Sequence, residues 1–318
     1  MVSAQNFLKP RRLQKGDKIG IANSASPVNA DELAAGVAYL ELLGYLPIVG
    51  ENVLKVGEVG QSFLAGTDAE RASDMNDLFR RDDIAAIICA RGGYGSMRLT
   101  ELLDWKALRD NPKILTGYSD VTSLHLGINQ ISGLTSIHGK MATNIHTLAP
   151  EPQALFWEML TNPNPYGALP ANPESITTLV SGMAEGVLAG GCLTLLAHAC
   201  GTRIQPDFRG KIVLIEDVGE LIYRCDRYLA QLLLCGVLQE AAGFVIGTVT
   251  TWYDKDETPP PPDTPESLWR AMIAPLGKPT ICGFPFGHEP NPLTLPLGVH
   301  ARLDADNCTL TLLESPIS

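Results

Sequence analysis

Short apolar runs alternate with longer amphipathic segments along the first half of the chain. An apolar run at residues 18–22 ends in the polar loop 23–27, and apolar residues then recur at helical spacing through residues 32–43. Asp31 is the predicted N-cap of this helix, and Gly44 is its predicted end. The pattern therefore begins with a strand, a loop and a helix.

The alternation continues beyond this first helix. The apolar runs predict strands at residues 46–49, 84–89 and 113–116, and amphipathic spacing predicts a helix at residues 68–80. Because the strands are almost continuously apolar and helices separate them, the first half predicts a parallel sheet covered by helices on both faces.

A proline-rich stretch at residues 162–172 opens the second half, and its prolines exclude a helix or an inner strand and predict a linker. Beyond it, Gly190 and Gly191 predict a turn. Strands are predicted at residues 211–215 and 243–250, a helix at 224–234, and an antiparallel hairpin from residues 299–303 and 309–313. The second half therefore mixes parallel and antiparallel pairing.

These patterns together predict an α/β protein with two domains. We expect an N-terminal parallel α/β domain at residues 1–160, a linker at residues 161–180 and a smaller, mixed α/β domain at residues 181–318. The segment 254–264 contains four consecutive prolines at 259–262, and it is expected to be an exposed, extended loop.

Composition narrows the classes of function. Apolar residues make up 45% of the 318 residues and charged residues 19%, which is enough to bury a core and argues against disorder. The net charge of −11 argues against a nucleic-acid partner and against docking on anionic membranes. Residues 1–20 lack the apolar segment of a secretory signal, so we expect a cytoplasmic protein.

The cysteines indicate neither a disulfide framework nor a metal site. All seven are scattered, mostly in apolar surroundings, and they form no CxxC or Cys/His ligand spacing. This distribution is typical of free thiols in a reducing compartment. We therefore expect no metal ion and no cofactor.

Ser119 is the first candidate for catalysis. It follows the predicted strand at residues 113–116, and it precedes a predicted helix that begins at Asp120. A serine on a sharp turn from strand to helix presents its hydroxyl at the carboxyl edge of a sheet, where the following N–H groups can bind an oxyanion. The flanking residues do not form a GxSxG motif, and both residues can equally be helix caps.

A second candidate is the glycine loop Arg91-Gly-Gly-Tyr-Gly95, directly after the strand at residues 84–89. Its adjacent glycines let the backbone approach a ligand and present N–H groups, although they also suit a tight turn. The loop matches neither a phosphate loop nor GxGxxG. In an open parallel sheet, this loop and Ser119 lie at the same edge, where ligands bind.

Glu216 and His288 each follow an apolar run in the second half. Glu216 is either a helix cap or a member of a site, and a lone histidine such as His288 is more often structural. With Ser119, however, they supply the residue types of a nucleophilic triad, in which histidine takes the hydroxyl proton and the carboxylate fixes the histidine tautomer. Ser119 lies in the first predicted domain, and the other two lie in the second.

Motifs along almost the whole chain resemble the landmarks of the L,D-carboxypeptidases, the serine peptidases of muropeptide recycling, and of the related microcin immunity peptidases. The matching motifs are Arg91-Gly-Gly-Tyr-Gly95, Gly117-Tyr-Ser-Asp120, Gly190-Gly-Cys-Leu193 with Gly201-Thr202, Glu216-Asp-Val-Gly-Glu220, Tyr223-Arg-Cys-Asp-Arg227 and Gly287-His288. The sequence departs from the family at Cys192, where asparagine is usual. A thiol at this position cannot replace the hydrogen bonds of an amide.

The resemblance implies a fold and roles for individual residues. It implies an N-terminal domain like that of class I glutamine amidotransferases and a smaller C-terminal domain, and we also expect a homodimer. The implied triad is Ser119, His288 and Glu216. The implied oxyanion donors are the N–H groups of Asp120 and of Gly92 or Gly93.

The implied activity is hydrolysis of the bond between an L-centre and the terminal D-alanine of a released murein tetrapeptide. We therefore expect a small peptide as the substrate, and neither a nucleic acid nor a membrane as a partner. Because substrate and product both carry free carboxylates, the site should contain a cation. Arg91 is the candidate for this substrate-binding role, although an arginine at that position can simply face solvent.

Three other functions fit parts of the sequence. A peptidase that disarms a peptidyl-nucleotide antibiotic needs a platform for the base, and Trp252 and Tyr253 could stack on one, although such a pair more often packs internally. A non-catalytic sugar- or peptide-binding protein would use Ser119 only as a helix cap. An amidotransferase-like hydrolase would use cysteine where this chain has serine.

Overall fold

The computed structural model describes residues 7–253 and 262–318. The chain forms two compact units. Among the described residues, the N-terminal unit comprises residues 7–163, 294–298 and 315–318, and the C-terminal unit comprises residues 164–253, 262–293 and 299–314. Most of the loop expected at residues 254–264 lies outside the described residues. No described helix combines the length and the apolar character that crossing a membrane requires.

Strands and helices alternate through much of the described chain. The strands are β1 (Lys18–Ala22), β2 (Leu46–Val49), β3 (Ile84–Cys89), β4 (Ile114–Gly117), β5 (Ser136–His138), β6 (Gly167–Ala168), β7 (Thr177–Val180), β8 (Met183–Cys192), β9 (Ile212–Val218), β10 (Gly243–Thr250), β11 (Thr280–Cys282), β12 (Leu295–Leu297), β13 (His300–Asp304) and β14 (Thr309–Leu312). The helices are α1 (Ala30–Leu42), α2 (Asp68–Arg80), α3 (Trp105–Asp110), α4 (Thr122–Gly127), α5 (Pro150–Thr161), α6 (Leu193–His198), α7 (Ile222–Leu234) and α8 (Pro265–Met272).

The N-terminal unit is built on a six-stranded sheet in the order β12-β5-β4-β3-β1-β2. Strands β1 to β5 pair in parallel, and β12 pairs antiparallel with β5. Met75 and Phe79 of α2 and Trp105 of α3 belong to the same buried cluster as Ile87 and Leu115 of the sheet. The predicted parallel α/β sheet is therefore confirmed, and the carboxyl ends of β3, β4 and β5 lie at one edge.

The first helix begins earlier than the sequence pattern predicts. The side chain of Asn29 accepts hydrogen bonds from the N–H groups of Asp31 and Glu32, so Asn29 is the N-cap. The prediction of Asp31 as the cap is wrong, because Asp31 lies in the first turn. Its negative charge there interacts favourably with the positive end of the helix dipole. By contrast, α2 has the predicted bounds and is closed by a capping box between Thr67 and Glu70.

The C-terminal unit contains an eight-stranded sheet in the order β6-β14-β13-β8-β9-β10-β11-β7. Strands β8 to β11 pair in parallel, whereas β13, β14, β6 and β7 pair antiparallel, so the predicted mixture is confirmed. The turn predicted at Gly190 and Gly191 is wrong, because both lie inside β8. A Cβ on Gly190 would clash with the backbone of Leu214, so glycine permits close pairing with β9.

The two units interleave along the chain. Residues 161–180, predicted as a linker, contribute β6 and β7 to the two edges of the C-terminal sheet, and prolines flank these short strands without interrupting them. The chain returns to the N-terminal unit at Thr294–Gly298, because β12 pairs there with β5. The division into domains at residues 1–160 and 181–318, and the likeness to glutamine amidotransferases, stay predictions.

Candidate active site

Ser119 lies on a sharp turn after the carboxyl end of β4. Its φ of 63° is in the left-handed region, which costs a non-glycine residue about 1–3 kcal/mol. A 3-10 turn, Ser119–Val121, follows at once and continues into α4. A Cβ on Gly117 would lie 2.8 Å from the Val121 side chain, so glycine allows the turn. This is the turn from strand to helix that the sequence predicts, and Ser119 is only half-buried in it.

His125 supports this turn from within the fold. Its Nε2 lies 2.9 Å from the carbonyl oxygen of Gly117, and its Nδ1 lies 2.9 Å from Oγ of Ser136. A carbonyl only accepts, so Nε2 carries the proton and Nδ1 accepts from the serine hydroxyl. Burial lowers the pKa of His125 to about 3, so the ring is neutral at ordinary pH.

The glycine loop passes directly against the Ser119 turn. A Cβ on Gly92 would lie 3.2 Å from Cβ and 3.5 Å from Oγ of Ser119. Gly93 has a φ of 111°, and a Cβ there would lie 2.6 Å from Cβ of Ser26. Gly93 therefore excludes a larger side chain, a Cβ at Gly92 would be tight against Ser119, and the loop backbone lies close to the serine hydroxyl.

The carboxylate of Asp120 joins the turn to the end of the glycine loop. Its Oδ2 accepts a hydrogen bond of 2.7 Å from the N–H of Ser96, whose hydroxyl lies 2.8 Å from that of Ser24. Asp120 is 2% exposed, and this burial raises the pKa of its carboxyl, while hydrogen bonds from Ser96 and the charge of Arg71 oppose the shift. Sequence reasoning missed this carboxylate, because no local pattern links Ser96 to Asp120.

Arg91, the predicted substrate cation, begins the glycine loop at the end of β3. Its side chain is exposed, and its Nη1 donates a hydrogen bond of 2.6 Å to the carbonyl oxygen of Pro27. This contact fixes the guanidinium beside the loop. The remaining N–H groups of the guanidinium fork give it further donors for an anionic ligand.

Glu216 and His288 form a hydrogen-bonded pair in the C-terminal unit. Oε2 of Glu216 lies 2.6 Å from Nδ1 of His288. The glutamate side chain is fully buried near the carboxyl end of β9, and the histidine side chain is 16% exposed. The strand that carries Glu216 is apolar up to that residue, and every residue of the strand up to Asp217 is buried.

Gly287 allows this pair to form. Its φ is 91°, and a Cβ there would lie 2.6 Å from both Cγ and Cδ of Glu216. The chain therefore passes across the buried carboxylate with no side chain between, and the next residue, His288, turns its ring onto Oε2. The glycine before the histidine is a requirement of this geometry.

Cys192 is joined to the residue beside Glu216. Its thiol donates a weak hydrogen bond of 3.4 Å to Oδ1 of Asp217, and the N–H and hydroxyl of Thr194 each donate at 2.8 Å to Oδ2. Burial raises the pKa of both Asp217 and Cys192. In this chain a thiol thus contacts the same carboxylate that anchors the start of α6 to β9.

The predicted site residues fall into two groups. The N-terminal unit brings together the Ser119 turn, the glycine loop and Arg91 at one sheet edge, and the C-terminal unit brings Glu216 together with His288. A hydroxyl on a strained turn and an imidazole held by a buried carboxylate are the components that nucleophilic acyl transfer uses.

Known proteins match the chain over most of its length. Residues 19–139 match the family described as LD-carboxypeptidase N-terminal domain, and residues 185–303 match the family described as LD-carboxypeptidase C-terminal domain. The chain is 34% identical to a Bacillus subtilis protein named probable murein peptide carboxypeptidase, over 98% of this chain and 95% of that protein. It is 30% identical to the murein tetrapeptide carboxypeptidase of Pseudomonas aeruginosa, over 91% of this chain and 94% of that protein.

A solved structure has a similar fold. The wild-type, ligand-free structure of the microcin C7 self-immunity protein MccF matches with a TM-score of 0.85 at 28% identity. The match covers 98% of this chain and 100% of that one.

Proposed function

The chain belongs to the LD-carboxypeptidase family, and we propose that it is a serine carboxypeptidase that removes the terminal D-alanine from murein tetrapeptides. The observation that carries the proposal furthest is the hydrogen bond of 2.6 Å between His288 and the buried carboxylate of Glu216. A buried carboxylate on Nδ1 leaves Nε2 as the basic nitrogen, which is the arrangement that a general base for a serine needs.

In the proposed mechanism, Ser119 Oγ attacks the carbonyl carbon of the third residue of the peptide. Nε2 of His288 takes the hydroxyl proton and then gives it to the amine of the departing D-alanine, and Glu216 stabilises the imidazolium. Water, activated by His288, then hydrolyses the acyl-enzyme and regenerates the serine.

The oxyanion of the tetrahedral intermediate needs hydrogen-bond donors close to Ser119. We assign this role to the N–H of Asp120 and to the N–H of Gly92 or Gly93. The close approach of Gly92 to Ser119 supports the assignment, since a donor must lie about 3 Å from the developing charge. Arg91 is the proposed partner of the substrate's terminal carboxylate, and its fixed position beside the loop supports that role.

The direct test is an end-point assay by mass spectrometry with a purified murein tetrapeptide. We expect loss of one D-alanine. Ser119→Ala should reduce kcat by about 10³ to 10⁶-fold, whereas Ser123→Ala, the same change at a buried hydroxyl in α4, should leave it within about threefold. Activity of Ser119→Ala above about a tenth of wild type would contradict a serine nucleophile.

Stereochemistry tests the L,D assignment separately. A pocket shaped for the D-alanine methyl rejects the L-isomer, and an amidated end leaves the carboxylate-binding cation unpaired. The analogues that end in L-alanine or D-alaninamide should each lose at least about tenfold in kcat/KM. The pentapeptide that ends in D-Ala-D-Ala should resist cleavage, because its terminal bond follows a D-centre. Equal cleavage of the L- and D-ended tetrapeptides would leave only a general serine peptidase.

A second candidate function is hydrolysis of a peptidyl-nucleotide antibiotic. Two observations favour it: the TM-score of 0.85 to MccF, and the half-buried pair Trp252 and Tyr253, whose ring centroids lie 4.8 Å apart. Such rings can stack with a nucleobase. Cleavage of a peptidyl adenylate, with no release of alanine from the tetrapeptide, would favour this candidate.

The biological setting is part of the proposal. We infer a homodimer that acts in the cytoplasm on imported murein fragments. Light scattering of the purified protein would measure the mass in solution, and a monomer at micromolar concentration would contradict the dimer. Cell fractionation would test the compartment.

A further inference from the structure

Lys140 lies at the same sheet edge as Ser119 and the glycine loop. It follows β5 by two residues, and the preceding Gly139 donates its N–H to the carbonyl oxygen of Gly117 at 3.0 Å, so β5 remains beside β4 up to the turn. The chain then crosses towards β3, where the N–H groups of Ala142 and Thr143 donate to the carbonyl oxygens of Cys89 and Ala90. The segment that contains Lys140 therefore spans the ends of β5, β4 and β3.

This segment packs around the Ser119 turn. The Cβ position at Gly92 that lies 3.5 Å from Ser119 Oγ also lies 3.5 Å from Cε of Met141. On the other side, Nδ2 of Asn144 donates to the hydroxyl of Tyr118 at 3.3 Å. Lys140 is thus adjacent in sequence to Met141, which packs on the same glycine as Ser119, and its Nζ lies over the ring of Tyr118, the residue that precedes the serine.

Lys140 is a buried residue, and its ammonium has no acidic partner among the described residues. The residue is 7% exposed, and its Nζ lies 5.6 Å from the centre of the Tyr118 ring. Burial lowers the pKa of Lys140, and no nearby carboxylate opposes that shift. An aromatic face compensates only part of the lost hydration of an ammonium, so an anion at this position would be bound favourably.

The strands that precede Lys140 and Arg91 flank the strand that precedes Ser119. In the sheet order β5-β4-β3, Lys140 follows β5, Ser119 follows β4 and Arg91 follows β3. Adjacent strands are about 4.8 Å apart, so the ends of β5 and β3, from which the chain continues to the two cations, are about 10 Å apart. This distance corresponds to roughly three residues of extended peptide. A peptide lying across this edge, with its terminal carboxylate towards Arg91, would have its acyl side towards Lys140.

We propose that Lys140 binds a substrate carboxylate on the acyl side of the scissile bond. In a murein tetrapeptide this is either the side-chain carboxylate of the third residue, when that residue is diaminopimelate, or the α-carboxylate of the glutamate before it. The inference rests on the proposed function and adds a determinant of substrate specificity to it.

The test pairs Lys140 variants with substrates that lack one carboxylate at a time. Lys140→Met keeps the length of the side chain and removes its charge, and Lys140→Arg keeps the charge. Four substrates are compared: the free tetrapeptide, its amide at the third-residue side chain, its amide at the glutamate α-carboxyl, and its amide at the terminal D-alanine. Lys113→Met is the matched control, because Lys113 is also buried but lies at the amino end of β4.

On the free tetrapeptide, Lys140→Met should lower kcat/KM at least tenfold, mainly through KM, and Lys140→Arg and Lys113→Met should stay within about threefold of wild type. The tenfold loss should disappear with one of the two acyl-side amides and persist with the terminal amide. An equal loss on all four substrates, or a loss that disappears with the terminal amide, would overturn the proposal.

Binding distinguishes this inference from the proposed function. In the Ser119→Ala background, calorimetry should give a dissociation constant for the tetrapeptide that Lys140→Met raises at least tenfold. If tetrapeptide binding depends on Lys140 but the wild-type protein does not cleave the tetrapeptide, the proposed function is contradicted and the role of Lys140 is not. Normal turnover and binding in Lys140→Met, or in Lys140→Gln if the methionine variant does not fold, would contradict the role of Lys140 alone. Absence of any binding by the Ser119→Ala protein would contradict both.

Discussion

His288 turns its Nδ1 onto Oε2 of Glu216 at 2.6 Å, and the carboxylate beneath it is fully buried. A carboxylate only accepts hydrogen bonds, so Nδ1 carries the proton and Nε2 presents its lone pair away from the glutamate. The tautomer of the proposed general base is therefore set by one buried side chain of β9.

Replacing the Glu216 carboxylate by an amide should test whether the carboxylate sets the tautomer of His288. Glu216→Gln keeps the shape but can donate to Nδ1, which would move the ring proton to Nε2. We expect kcat to fall by about 10² to 10⁴-fold with little change in KM. Glu289→Gln, beside the same histidine, is the control and should stay within about twofold. Steady-state kinetics on the tetrapeptide measure both, and a loss below about tenfold would contradict this role of Glu216.

Gly287 should tolerate no side chain. In Gly287→Ala the new Cβ would lie 2.6 Å from Cδ of Glu216 at a φ of 91°, so either the backbone or the carboxylate must move. We expect a loss of about 1–3 kcal/mol in the free energy of unfolding and at least tenfold in kcat. Gly277→Ala shares the positive φ, but nothing lies within 4 Å of its Cβ, so only a smaller stability loss is expected. Urea unfolding and kinetics test both variants, and equal behaviour would refute the steric argument.

The carboxylate of Asp120 should hold the Ser119 turn and the glycine loop in register. Asp120→Ala leaves the buried N–H of Ser96 without this acceptor, which costs about 1–3 kcal/mol in the free energy of unfolding. Because small displacements of catalytic groups are costly, we expect kcat to fall at least tenfold with KM nearly unchanged. Asp110→Ala, at an exposed pair with Lys106, should change neither quantity measurably. An unchanged kcat in a destabilised Asp120→Ala protein would show that the carboxylate serves stability alone.

His125 should make the N-terminal unit sensitive to acid. The pKa of His125 in the folded protein, about 3, lies below the ordinary value of about 6.5. As the pH falls below about 6.5, His125 therefore becomes protonated in the unfolded chain but stays neutral in the folded protein. Stability from this group is complete above about pH 7 and falls as the pH decreases towards 3, with about 2 kcal/mol lost between pH 7 and pH 5. Urea unfolding at pH 7, 6 and 5 should show a weaker pH dependence in His125→Gln, and parallel profiles would contradict the assignment.

Much of the fold and several candidate residues follow from local sequence. Strands β1 and β3 and helix α2 have the predicted bounds, because hydrophobic period and helix capping depend on residues only a few positions apart. Ser119 and His288 were identifiable for the same reason, since each follows an apolar run and a glycine. Local pattern also gave the mixed pairing of the second sheet.

Strand pairing between residues that are distant along the chain determined the features that local sequence did not predict. Gly190 looks like a turn residue in sequence, yet it lies in a strand, because its missing Cβ admits the backbone of Leu214, which is distant along the chain. The same holds for Leu295–Leu297, which joins the N-terminal sheet by pairing with β5.

The side chains around the candidate nucleophile show the limit most clearly. Nothing near Asp120 in sequence indicates that its carboxylate accepts a hydrogen bond from Ser96, and nothing near Lys140 indicates that its ammonium lies over the ring of Tyr118. Both contacts arise because parallel strands bring loops that are distant in sequence to one sheet edge. Local chemistry therefore specified the strands, the helices and the reactive residue types, whereas burial and cross-strand packing decided which charged groups surround them, because desolvation and hydrogen bonding act only between groups that the fold has already brought together.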